Sequence, residues 1–331
     1  MKRLLFIIPT FLVLFVALGF FWWNNLLLPT GNDGQDQRFV ITRGSSIETI
    51  GGNLEKSGII KSSLAFKLYV RLNNLDNKIP SGEFAISGNL SLPKVLEVLQ
   101  KGPIEIWVTV PEGLRREEVA IKFADGLNLS GQPREVFLEE FLASSKNLEG
   151  YLFPDTYLVP KDVTAKKVVD LLESTFSRKF IYSESALARA GLSLSEVVIL
   201  ASIIERETLT KGERPVVAGV YLKRIDAGWP LQADAAVQYA VANINCRNMI
   251  ECEWWPRPLT SSDLATNSPF NTYKFPGLPP GPIANPGLTS LEAVTNFEES
   301  PYWYYIHDSS GTIHYAETLE EHNANVARYL R

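Results

Sequence analysis

The sequence predicts a mixed α+β protein carried on an N-terminal transmembrane helix. Three observations predict it. An uncharged apolar run opens the chain, a body of globular composition follows, and in that body helical periodicity alternates with short β-type segments. The chain has 331 residues, 45% hydrophobic and 21% charged, which is enough for two packed domains. Its net charge of -5 excludes nucleic acid as the main partner, since neutralising phosphates needs a surplus of Lys and Arg. With two cysteines and three histidines in the whole chain, a Cys/His zinc site is not expected.

Leu4 to Trp23 carries no charge and has about the 20 residues a helix needs to cross a bilayer. Lys2 and Arg3 precede it, which keeps the N-terminus cytoplasmic and the body extracytoplasmic. Trp22 and Trp23 fall where an interfacial aromatic belt belongs. The run leaves through Phe20–Asn25 without the small-residue pattern of a cleaved signal, so residues 1–27 read as a retained single-pass anchor in the cell (inner) membrane. Residues 28–37 (LPTGNDGQDQ) read as a linker.

From Arg38 the pattern becomes globular. RFVIT reads as a strand, Ile47–Gly58 and Ser63–Leu72 as helices, residues 83–87 as a strand and Leu92–Gln100 as an amphipathic helix. Further on, Phe137–Ser145 and 164–190 carry helical spacing. The stretch LEGYLFPDTYLVP (148–160) between them is held to turn or extended backbone by its prolines. Cys246 and Cys252 flank a polar stretch. An oxidising compartment allows a local disulfide there, and spacing alone leaves two free thiols equally open. Tyr302–His307 and Thr312–Ala316 read as a hairpin, and Leu319–Leu330 as a closing helix.

The chemistry is expected after Leu192. Ser193-Leu194-Ser195-Glu196 has the form of a capping box. It opens a helix that is apolar on nearly every face from Val197 to Ile204, and therefore buried, with a stop expected at Gly212. At roughly 100° per residue, Glu205 lies within about 40° of Leu194, Val198 and Ala201, and Glu207 points to nearly the opposite side. A carboxyl held against an apolar stripe loses hydration, which favours its protonated form and suits a general acid. The bland reading is a surface Glu at a helix end, paired with Arg206 or Lys211. The Pro/Gly-dense segment 277–287 can be neither helix nor central strand and forms a rigid irregular wall.

Taken together, LEGYLFPDTY (148–157), ILASIIERET (199–208), LQAD (231–234), SPFNTY (268–273), GLPPGPIANPG (277–287) and HYAETLEEHN (314–323) resemble, in order, the endolytic murein transglycosylases. The resemblance implies a LysM-like small α/β domain at 38–105 and a larger mixed α+β catalytic domain at 106–331. It also implies cleavage of the MurNAc-GlcNAc bond within peptidoglycan strands, leaving 1,6-anhydro-MurNAc ends, with Glu205 as catalytic residue and no cofactor or metal. The partners it implies are peptidoglycan glycan strands, the membrane and cell-wall synthases beside which nascent strands end. Gln232, Asp234, Asn271 and Tyr273 are expected to line the groove by the same resemblance, Tyr273 stacking on a sugar. Phe270 stands where the family has Tyr, and the insert around Cys246, Cys252, Trp254 and Trp255 departs from the family pattern.

Such a reaction needs only one protein carboxyl, because the nucleophile is the substrate's own C6 hydroxyl. Two other classes stay open: a hydrolase using Glu205 as acid and Asp234 as base, and a non-catalytic glycan-binding scaffold.

Overall fold

The computed structural model describes residues 4–31, 35–42, 44–76, 78–246 and 252–330, without the side chains of 4–13. The charged tip Lys2-Arg3 and the middle of the cysteine insert lie outside the described residues. The chain divides into two compact units, 1–108 with 157–162, and 109–156 with 163–331.

The first unit begins with helix α1 (Leu4–Leu27). Among the described residues no single helix is long and apolar enough to cross a membrane; Leu14–Leu27 of α1 is a shorter apolar helix. Strand β1 (Asp36–Ile41) leads to α2 (Ile47–Lys56) and α3 (Ser63–Leu72), each started by a serine whose side chain takes an otherwise orphaned backbone N–H. Then come β2 (Gly82–Ser87), α4 (Leu92–Lys101) and β3 (Glu105–Thr109), and β4 (Thr156–Pro160) completes a sheet of order β1-β2-β3-β4. β1 and β2 run antiparallel, from Asp36 opposite Ser87 to Ile41 opposite Gly82. The core behind them gathers Phe39, Leu54, Phe66, Val70, Phe84 and Leu96. The expected linker is partly fastened, because Thr30 donates its hydroxyl to the Gly58 and Gly88 carbonyls at 2.7 and 2.8 Å.

The second unit holds α5 (Arg116–Gly126), α6 (Gly131–Ser144), α7 (Ala165–Lys179), α8 (Glu184–Ala190), α9 (Leu194–Glu207), α10 (Arg214–Asp226) and α11 (Asp234–Asn245). After them come the short α12 (Ser261–Leu264), α13 (Leu288–Thr295), the hairpin β5 (Tyr304–His307) and β6 (Ile313–Ala316), and α14 (Leu319–Tyr329). The predicted helix 164–190 is two helices, since the α7 C-cap Phe180 turns to extended backbone and Ser183 caps α8 afresh. α9 is the central helix: every residue from Val197 to Ile204 is buried. Its predicted capping box is present, Ser193 N–H donating to Glu196 at 2.8 Å. It ends at Glu207, short of the expected stop at Gly212. Thr208 adopts extended backbone, and Glu213 takes the Leu209 and Thr210 amides in place of further helical turns. Cys246 and Cys252 are joined by a disulfide.

Packing around α10 is close enough to be tested. A Cβ on Gly219 would come within 1.9 Å of the Glu298 carbonyl oxygen. Gly219→Ala should destabilise the protein by about 1–3 kcal/mol, outweighing the modest helix-propensity gain. Thermal denaturation checks it; an unchanged or raised midpoint refutes the packing.

Candidate active site

The last turn of α9 sends two carboxylates to opposite sides. Glu205 faces the 277–287 segment. One of its oxygens meets Arg214 at 2.7 Å, and the other accepts the Gly287 N–H at 2.9 Å and the Ser290 hydroxyl at 2.8 Å. Arg214 also bonds Thr289 and lies 3.6 Å from Glu112. The Glu205 side chain is 6% exposed, so the buried stripe does enclose it. It is enclosed by a cation and two donors, however, a setting that satisfies a carboxylate and bolts α9 to the start of α13. A Cβ at Gly287 would fall 2.0 Å from a Glu112 oxygen, so a larger residue there would displace the Glu112 side chain.

Asn285 anchors that wall from within. It is wholly buried; its side-chain oxygen accepts the Gly150 and Leu152 N–H groups, each at 2.9 Å. Its amide donates to the Leu114 carbonyl and to Glu149, also at 2.9 Å. Burial first, then the charge of Glu117, pushes the Glu149 carboxyl up to about 8. A raised folded-state value means that the Glu149 contribution is complete below the unfolded value near 4.5. It is lost as pH rises toward about 8, at no more than roughly 1.4 kcal/mol per pH unit. Glu149→Gln should flatten that decline in urea titrations across the window; an unaltered pH slope would refute this reading of Glu149.

Glu207 faces the other way, toward two cavities. A cleft of about 850 Å³ is lined by Glu207, Asp234 and Tyr273 together with Arg206, Arg257 and His307. A second cavity of about 260 Å³ shares Glu207, Asp234 and Tyr273 and adds Gln232, Tyr304, Tyr305 and His322. The two spaces therefore meet at the same three residues. Glu207 accepts the Ala235 N–H at 3.2 Å, and the Tyr305 hydroxyl lies 3.4 Å away. Tyr305 is in turn 2.7 Å from the Tyr221 hydroxyl. Burial raises both phenols well above their ordinary value, keeping them protonated donors. Burial first, with the Asp234 charge adding to it, also raises the Glu207 carboxyl, while the Ala235 N–H pulls the other way.

Of the residues expected to line the groove, Asp234 and Tyr273 lie along both cavities and Gln232 along the smaller one. Tyr273 donates to Asp234 at 2.6 Å. Gln232 is exposed and takes a left-handed backbone with φ of 55°, its N–H bonded to the Thr272 carbonyl, so the LQAD and NTY segments are tied together. Asn271 is placed differently. It is wholly buried; its amide donates to the Leu264 and Thr266 carbonyls and its oxygen accepts the Tyr273 N–H. It holds Tyr273 in place and does not line either cavity. Glu205 likewise lines neither. Sequence reasoning passed over Glu207, Tyr305, His322 and Arg257. A helix buried all round gives no hydrophobic direction that singles out the face turned toward a cleft. The insert packs: Arg115 lies between Tyr239 and Trp254, at 4.1 and 4.5 Å from the ring centres, and Arg206 stacks 3.8 Å over Trp255.

The chain is similar to several known proteins. An endolytic murein transglycosylase of Streptococcus pneumoniae is 28% identical over 97% of this chain, which spans 64% of that relative's length. One of Bacillus subtilis is 29% identical over 96% of this chain and 91% of its own. The crystal structure of a yceG-like protein of Listeria monocytogenes superposes with a TM-score of 0.60 at 27% identity, covering 88% of this chain and 98% of that one. The sequence profile of the YceG-like family matches residues 39–328, and the chain belongs to that family.

Proposed function

We propose that this chain is an endolytic lytic transglycosylase that cleaves the MurNAc-GlcNAc bond within peptidoglycan strands, with Glu207 as its acid and base. The observation that carries the reading is an enclosed carboxyl at the junction of two cavities, with a strand able to lie to either side of it. The names of the pneumococcal and Bacillus relatives support the same activity. The sequence resemblance put this role on Glu205; its cage of Arg214, Gly287 and Ser290, and the place of Glu207 in the lining of both cavities, favour Glu207 instead.

In this mechanism protonated Glu207 gives its proton to the glycosidic oxygen as the C1–O bond breaks and the GlcNAc end leaves. The resulting carboxylate then takes the proton of the C6 hydroxyl as that oxygen bonds C1, closing the anhydro ring and restoring the acid. Tyr305 and the Ala235 N–H orient the carboxyl. The negative charge of Asp234 favours the positive character developing at C1. Gln232 and Tyr273 line the sugar path. Because the acid must begin protonated, activity declines as pH rises through the raised Glu207 value.

The hydrolase alternative keeps one point in its favour, Asp234 in the same groove as Glu207. Mass spectrometry of digested sacculi separates the two: anhydro ends are expected, and reducing ends alone would establish hydrolysis. No cleavage at all would leave the glycan-binding scaffold. We further assign α1 as a single-pass inner-membrane anchor with the body outside the cytoplasm, a compartment that suits the Cys246–Cys252 bond. Residues 38–105 are read as LysM-like, supported by the two helices enclosed between antiparallel β1 and β2. Work beside cell-wall synthases, ending nascent strands, belongs to the same proposal.

A further inference from the structure

Helix α3 buries Ala65, Phe66 and Val70 in the core of the first unit. Its other face is unusual for a protein surface. Leu64, Leu68 and Leu72 recur at four-residue spacing and are 57%, 40% and 74% exposed, forming one apolar stripe along the helix. Scattered surface leucines need no explanation, but a contiguous row does. Charge flanks the row: Arg71 and Lys61 are exposed, and Lys67 on the adjoining side is shared with Glu48. Leucines bordered by cations make the pattern of a helix lying in a membrane interface.

The helix also lies beside the end of α1. Lys61, immediately before α3, donates to the Asn25 backbone and side-chain oxygens, each at 3.2 Å. Trp23, Leu26 and Leu27 of α1 pack against the core that Phe66 and Val70 belong to. Just upstream, Leu18, Phe20, Phe21 and Trp22 of α1 are exposed apolar side chains. Two exposed apolar surfaces thus adjoin on one unit.

From these observations we infer that the Leu64–Leu68–Leu72 face of α3 docks on the lipid surface, holding the first unit against the outer leaflet beside its anchor. The inference rests on α1 being the anchor. A lipid surface is the occupant because α3 is fastened to the end of the apolar helix α1 through Lys61 and because Arg71 and Lys61 complement anionic headgroups.

Both cysteines of the chain are in the disulfide, so one introduced thiol can be labelled selectively. Leu68→Cys and Leu18→Cys, each carrying an environment-sensitive fluorophore, are placed in the full chain in vesicles of phosphatidylethanolamine and phosphatidylglycerol doped with a nitroxide-tailed lipid. The Leu68 label should lose roughly half its emission to the lipid nitroxide and be shielded from aqueous iodide, as for a side chain ~5–10 Å into the interface. If the Leu18 label is quenched by lipid while the Leu68 label responds only to iodide, the docking face is refuted and the anchor stands. If both respond only to iodide, the anchor reading falls and takes this inference with it.

Discussion

Glu207→Gln is expected to lower strand cleavage by about 10²–10⁴-fold, the usual contribution of a general acid-base group, with the thermal midpoint little changed. The amide keeps the shape of the carboxyl and still accepts the Ala235 N–H, yet it has no proton to give. Glu205→Gln should behave in the opposite way. It takes the nearer counter-charge from buried Arg214, leaving only Glu112 at 3.6 Å, beside the Gly287 and Ser290 donors. Removing one member of such a pair costs about 3–5 kcal/mol, so the fold is weakened first. Activity then falls in proportion to unfolded protein and returns at lower temperature. Measuring specific activity and denaturation midpoint on both variants decides the assignment. A folded, inactive Glu205→Gln beside an active Glu207→Gln would reverse it.

Asn285→Ala is the second large expected effect. The substitution strips the acceptor from two buried amides, Gly150 and Leu152, and the donor from the Leu114 carbonyl and Glu149. Buried groups left without partners cost about 1–3 kcal/mol each. With four groups affected, a total of about 4 kcal/mol or more is then expected, a large part of the stability of an ordinary domain. Urea denaturation should show it directly. A midpoint shift within about 0.5 kcal/mol of wild type would mean that water or a rearranged loop replaces the amide.

Much of the scaffold was legible beforehand because local chemistry sets it. The Ser193 capping box, the all-round burial of α9, the hairpin of β5 and β6, and the closing helix all follow from short-range pattern. Departures occur where distant residues decide. α9 stops at Glu207 because Glu213, beyond the turn, captures the following amides. Asn271 is expected in the groove by the resemblance of the NTY segment; its buried placement depends on carbonyls from the α12 end and the loop after it. The choice between Glu205 and Glu207 turns on Arg214, on the next helix, and on Ser290, Ala235 and Tyr305, each distant in sequence from the acid it meets.

Only Arg206 separates the residue that fastens α9 to the Pro/Gly wall from the residue that faces the groove. The proposed acid thus shares a helical turn with the anchor to that wall, and a shift of the wall that carries Glu205 along would carry Glu207 too. In the proposed reaction, this coupling would leave the bending to the glycan.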